Sequence, residues 1–328
     1  MLLFILKRVL LMIPVLIIIS IVGFAIIQAP PGDFATTYVA ALEAQGEMVE
    51  PELVDALRAQ FGLDESIYVQ YWRWATNLAK GNLGYSMVLR EPVLDIVSGR
   101  LAASFTITLF SLILVYLIGI PIGVLSATKQ YSAADYTFTV IGFLGVATPN
   151  FLFALVMLWL LFLWTGEVAV GLYSPEMQNA PWSFAKLLDL LSHIWLPALI
   201  VGTAGTAELI RTMRANLLDE LQKQYVTVAR ARGVAPNKVL YKYPLRIAIN
   251  PVISTIGWTL PQLVEGEVLV SVVLGLPTLA PVLLDALFTQ DMFLASSIIM
   301  ILAVLVLVGT LLSDILLAIV DPRIRESV

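Results

Sequence analysis

Residues 211–246 read RTMRANLLDELQKQYVTVARARGVAPNKVLYKYPLR, a cationic island of eight basic residues against Asp219 and Glu220, net +6. On both sides the chain is apolar, with WLPALIVGTAGTAELI at 195–210 before it and IAINPVISTIGWTLPQLVEGEVLVSVV at 247–273 after it. About 20 mostly apolar residues carry a helix across a bilayer, so the island reads as the turn between two crossings. Working outward, further stretches of this kind lie at 9–29, 101–127, 136–164 and 293–320, giving six with 194–210 and 247–273. Composition agrees: of 328 residues 59% are hydrophobic and 13% charged, with mean hydropathy +0.90. Soluble domains carry about 25% charged residues, so the chain is predicted to be an all-α integral membrane protein.

Orientation follows from lysine and arginine, which collect in cytoplasmic loops. With the N-terminus inside, 13 of the 19 basic residues fall on inner segments, among them Lys7, Arg8, Arg323 and Arg325. The stretch 30–100 holds ten acidic and five basic residues and is assigned outside. Six crossings then leave both termini cytoplasmic. The apolar run after Lys7-Arg8 continues for about 20 residues, longer than the 7–15 of a signal peptide, and reads as a retained anchor. The organisation expected is an anchor helix at 1–29, an extracytoplasmic segment at 30–100 and a five-helix core at 101–328 carrying the cytoplasmic loop 211–246.

Within that loop the apolar residues Leu218, Leu221, Tyr225 and Val228 recur at helical spacing, predicting a helix over 217–232. Gly233 supplies a left-handed cap and Pro236 suits the first turn of a second helix running to about Arg246. Small residues Ala229 and Ala231 just before the turn allow a partner's backbone to approach. An ordinary positive-inside loop and a polybasic lipid-binding segment are the competing readings. In the outer segment, Glu50–Phe61 is amphipathic, and Tyr68, Tyr71, Trp72 and Trp74 lie within seven residues. The latter read as an interfacial aromatic belt or as a docking surface.

Chemistry inside the spans is sparse. The chain has no cysteine and one histidine, which excludes thiolate and multi-histidine metal sites and a cysteine nucleophile. Ionisable residues in spans are functional candidates: Glu265 and Glu267 late in span five, towards the outer face, Glu208 near the inner end of span four, and Asp314 near the inner end of span six. Gly257 and Pro261 interrupt span five as candidate hinges, and Glu265 with them forms the candidate pathway set. No phosphate-cradling G-x-x-x-x-G-K-[ST] loop is present, so nucleotide-driven transport requires ATP to be bound by another polypeptide. The acidic balance, with pI near 5.0, argues against a nucleic-acid partner.

Several segments, taken in order, resemble the permeases of dipeptide, oligopeptide and nickel ABC importers across essentially the whole chain. They are K-R-V-L-L-M-I-P at 7–14, P-G-D at 31–33, F-G-L-D at 61–64, Y-V-Q-Y-W at 68–72, G-N-L-G-Y-S at 81–86, Y-V-T-V-A-R-A-R-G at 225–233 and D-P-R-I-R at 321–325. The resemblance implies a type I ABC-importer permease fold of six helices and an ATPase-docking set of Thr227, Val228, Ala229, Arg230, Ala231, Arg232, Gly233 and Pro236. The family's Glu-Ala-Ala element stands here as Thr227, Val228 and Ala229, and its Ile-x-Leu-Pro element as Tyr243, Pro244, Leu245 and Arg246. Residues 36–49 read as an insertion relative to dipeptide permeases. The implied partners are a homologous second permease, two cytoplasmic ATPases holding ATP and Mg, an extracytoplasmic solute-binding protein and membrane lipid. The chain itself is expected to carry no catalytic residue, cofactor or metal. Oligosaccharide import on the same architecture, and a self-sufficient channel or secondary transporter, are the alternatives to peptide import.

Overall fold

A computed structural model describes residues 2–50, 52–166, 171–178 and 180–320; the D-P-R-I-R element at 321–325 lies outside them. Among the described residues fourteen helices follow one another: α1 (Leu2–Ile27), α2 (Phe34–Ala44), α3 (Glu52–Phe61), α4 (Ile67–Ala79), α5 (Val93–Thr128), α6 (Ala133–Ala147), α7 (Asn150–Thr165), α8 (Phe184–Leu221), α9 (Gln224–Ala231), α10 (Pro236–Lys242), α11 (Pro244–Ser254), α12 (Ile256–Val273), α13 (Leu279–Phe288) and α14 (Met292–Val320). Among the described residues α1, α5, α8, α12 and α14 are each long and apolar enough to cross a membrane.

The expected third crossing at 136–164 is instead a pair, α6 and α7, bent by 111°. Pro149 explains the break. It has no N–H to donate and disfavours helical backbone in the residue before it, and Thr148 is accordingly extended (φ −92°, ψ 121°). The fifth expected crossing is also divided, with α12 beginning after Thr255. Glu265 therefore falls at the middle of the crossing helix rather than towards its outer end.

The chain forms two compact units that interleave along the sequence. One contains residues 6–104 and 277–307. Its core joins Phe24, Phe34, Trp74, Met87, Leu279, Met292 and Ile298. Trp74 is 2% exposed, its indole N–H donates to Ser297 Oγ at 3.4 Å, and Tyr71 packs edge-on against Phe24. Trp74 of the expected aromatic belt is thus core and Tyr71 is half-buried against that core, whereas Tyr68 and Trp72 are exposed. Residues 34–44, overlapping the stretch 36–49 read as an insertion, form α2, opened by a reciprocal capping box between Asp33 and Thr36.

Asp291, fully buried and immediately ahead of α14, organises the same unit. Its carboxylate accepts from Ser86 Oγ–H at 2.6 Å, from the Met87 N–H at 2.8 Å and from the Val88 N–H at 3.2 Å. It also accepts from the Leu294 N–H at 3.2 Å, as an N-cap does.

The other unit contains residues 105–276, residues 308–320 and the first turn of α1. Here α8 packs against α6, α7, α11 and α12. Helix α5 also approaches it closely: a Cβ on Gly119 would lie 2.7 Å from Leu209 Cδ2, and one on Gly123 2.6 Å from Met213 Cβ. Such small-residue contacts drive helix association in lipid, where hydrophobic burial gives no advantage. Arg214 of α8 forks onto Asp135 at the start of α6, with N–H···O distances of 2.8 and 2.9 Å.

Two outcomes follow. Replacing Asp291 by alanine strands buried donors at about 1–3 kcal/mol each and is expected to expose 81–92 to protease, while Asp291→Asn, which keeps an acceptor, does so less. Asp33 meets Arg58 of α3 at 2.7 Å; burial works against its ionisation, but the bonds from Arg58 and Thr36 prevail and lower its pKa. A lowered carboxylate pKa stabilises fully above the ordinary value of about 3.9 and is lost as pH falls through the folded one. Amide protection factors in 34–61 should therefore fall below about pH 4, and Arg58→Met should weaken that dependence, leaving the part due to Thr36.

Candidate functional site

The basic loop folds into a small knuckle with its own core. Helix α8 ends at Leu221, and Lys223 takes an extended backbone (φ −69°, ψ 147°) ahead of α9. The single helix expected over 217–232 is thus two. The break shifts the inward face, so that Val226 and Ala229 of α9 and Val239 of α10 make the core, while Val228 is 50% exposed. Tyr225 donates its hydroxyl to Glu220, tying α9 back to the end of α8; burial and that carboxylate push the phenol pKa up to about 12.

The turn is a Schellman motif. The Gly233 N–H donates to Arg230 O at 2.9 Å and the Val234 N–H to Ala229 O at 3.3 Å, with Gly233 at φ +75°. That conformation costs glycine little and other residues more. Pro236 then opens α10, as its spacing predicts, and α10 stops at Lys242 because Pro244 starts α11. Of the expected docking residues, Thr227, Val228, Arg230, Ala231, Arg232, Gly233 and Pro236 are exposed. Ala229 points into the knuckle and supports it from within.

A second feature lies deeper in the same unit. A cavity of about 420 Å³ runs between α8 and α12, reached also by the start of α7, and its polar lining consists of Asn150, Glu208, Arg211, Thr259, Gln262 and Glu265. Glycine at 266 lets the walls meet: a Cβ there would lie 2.7 Å from Asn150 Nδ2 and 3.8 Å from Val201 Cγ1. Among the described residues Glu208, Arg211 and Glu265 make no ion pair; Arg211 has the Phe143 ring 5.9 Å away. Of the expected pathway residues only Glu265 lines this cavity. Gly257 faces Ser313 of α14 instead, 3.1 Å from where its Cβ would be, and Pro261 is half-buried in α12. Glu267 is buried and accepts from Ser271 Oγ–H at 2.8 Å.

Sequence reading passed over Asn150, Arg211 and Gln262 as lining residues. A signal existed in the i, i+3 pairs Glu208/Arg211 and Gln262/Glu265, which put polar groups on one face of each helix.

Comparison with known proteins agrees with this architecture over the full length. The family model described as "Binding-protein-dependent transport system inner membrane component" matches residues 119–326, and the model of the N-terminal part of such components matches 1–109. The chain is 38% identical to the oligopeptide transport system permease protein AppB of Bacillus subtilis, over 98% of this chain and 99% of that one. It is 30% identical to the dipeptide transport system permease protein DppB of Escherichia coli K12, over 99% of both, and 30% identical to the glutathione transport system permease protein GsiC of an O6:H1 strain of that species, over 98% of both. The chain belongs to the family of binding-protein-dependent transport system inner-membrane components, the permease subunits of ABC importers.

Proposed function

We propose that the chain forms half of the solute pathway of an ATP-driven importer of peptides, paired with a homologous second permease. Two cytoplasmic ATPases bind ATP and Mg, and an external solute-binding protein delivers the cargo. The observation that carries this reading is the knuckle of α9 and α10: compact, cationic, exposed at its turn, and joined directly to the crossing helix α8. A preformed wedge of this kind suits a cleft in a partner protein. The names of the relatives support peptide cargo over oligosaccharide.

In this mechanism the knuckle sits in the ATPase cleft, and closure of the ATPase dimer on ATP rocks the permease pair between inward- and outward-open states. ATP shifts that equilibrium only as far as it binds one state better than the other. The excess of basic residues on the inner segments supports cytoplasmic termini. For that topology α6 and α7 together count as one crossing.

Ala231→Trp tests docking without touching the knuckle's core, because Ala231 is exposed. In the assembled importer the variant should insert normally yet lose at least tenfold in solute-stimulated ATP hydrolysis; undiminished stimulation would falsify the docking role. The purified chain alone should hydrolyse no ATP, and turnover by it would sink the subunit reading.

A further inference from the structure

The cavity between α8 and α12 is lined by three charged side chains in a membrane-spanning unit, Glu208 and Arg211 on α8 and Glu265 on α12. Exposing a charge at mid-bilayer to lipid costs several kcal/mol, so these side chains face water or polar groups. Among the described residues no protein group forms an ion pair with any of the three, which leaves both charge signs open to a passing solute. Among the described residues no aromatic ring lines the cavity either, whereas sugars are commonly held by stacking on aromatic faces.

The spacing of the charges can be read from the register of the two helices. Gly205 faces Thr259 at 3.6 Å and Gly266 faces Val201 at 3.8 Å, measured from where each glycine's Cβ would be, so α8 and α12 run antiparallel. Glu265 then stands level with Val201. At 1.5 Å rise per residue, Glu208 lies about 10 Å and Arg211 about 15 Å further along α8. An extended peptide covers about 3.3–3.6 Å per residue, so four residues span about 13–14 Å. A dipeptide, at about 7 Å, is too short to reach both ends.

We infer that the charged lining of this cavity reads the two termini of an extended oligopeptide of about four residues, the ammonium at Glu265 and the carboxylate at Arg211. Glu208, three residues from Arg211, keeps the cation from binding a carboxylate too tightly to release. The inference rests on the permease reading above and adds to it a cargo class and length selected inside the membrane.

The test is uptake of alanine peptides of two to six residues into proteoliposomes holding the complete importer and saturating binding protein. Glu265→Arg and Arg211→Glu should each lower tetraalanine uptake at least tenfold. The double variant, which swaps the charges, should recover to within about threefold of wild type, because tetraalanine can then bind reversed. Residues needed only for folding would not rescue one another across that distance. Unaffected single variants, a double variant no better than the singles, or wild-type uptake confined to dialanine would each overturn the inference and leave the permease reading standing. A wild-type importer that takes up none of these peptides would overturn the peptide reading itself.

Discussion

Helix α8 meets its neighbours through contacts that leave no room to slide. Leu209 and Met213 fill the space left by Gly119 and Gly123 of α5, and the Arg214–Asp135 fork ties the helix to α6 just beyond them. A 38-residue helix is about 57 Å long, more than the hydrocarbon core needs. Its surplus carries the packed face out to the knuckle. The same rod thus bears Val201 and Gly202 in the core, Glu208 and Arg211 on the cavity wall, and Glu220 beneath Tyr225. A displacement of the knuckle therefore has a stiff route to the cavity.

The second wall connects to the same knuckle by a different kind of linkage. From α10 the chain passes through Tyr243 (φ −118°, ψ −81°) into α11, and from α11 through Thr255 into α12. Two breaks in this path, against the single one at Lys223 between α9 and α8, make the α12 side the more compliant. Rocking the knuckle would turn the walls by unequal amounts, which is what opening and closing a passage between them requires. Thr255 keeps a helical backbone (φ −68°, ψ −18°), is buried, and pairs its hydroxyl with Tyr116 at 2.6 Å, so the α11–α12 junction is held by a polar bond within the packed interior.

The crossings and the knuckle's turn were legible because each depends on local chemistry. Apolar runs identify the spans, and Gly233 with Pro236 dictates a left-handed cap followed by a helix start. What escaped depends on direction or on distance along the chain. Hydropathy sums composition and carries no orientation, so the stretch 136–164 looked continuous although Pro149 turns it by 111°. Trp74 and Tyr71 read as belt residues because their partners, Ser297 and Phe24, lie far away in sequence. Val226 and Ala229 were out of phase with the expected stripe because the break at Lys223 resets the helical angle. Glu265 was placed too far out for the related reason that Thr255 divides the span.

Asp291 bears on what the segment following α1 can do. It lies 205 residues from Ser86 in sequence, yet it fixes residues 86–88 and the first turn of α14 with one carboxylate. Breaking these bonds leaves buried donors unsatisfied at about 1–3 kcal/mol apiece, and the Phe24–Trp74–Ile298 core would have to open as well. The segment following α1 is therefore built into the ends of α1 and α14 and is not a lid hinged on a loop. Any movement of it during transport is expected to be rigid-body movement shared with those helices. A solute-binding protein pressing on this segment would act directly on crossing helices.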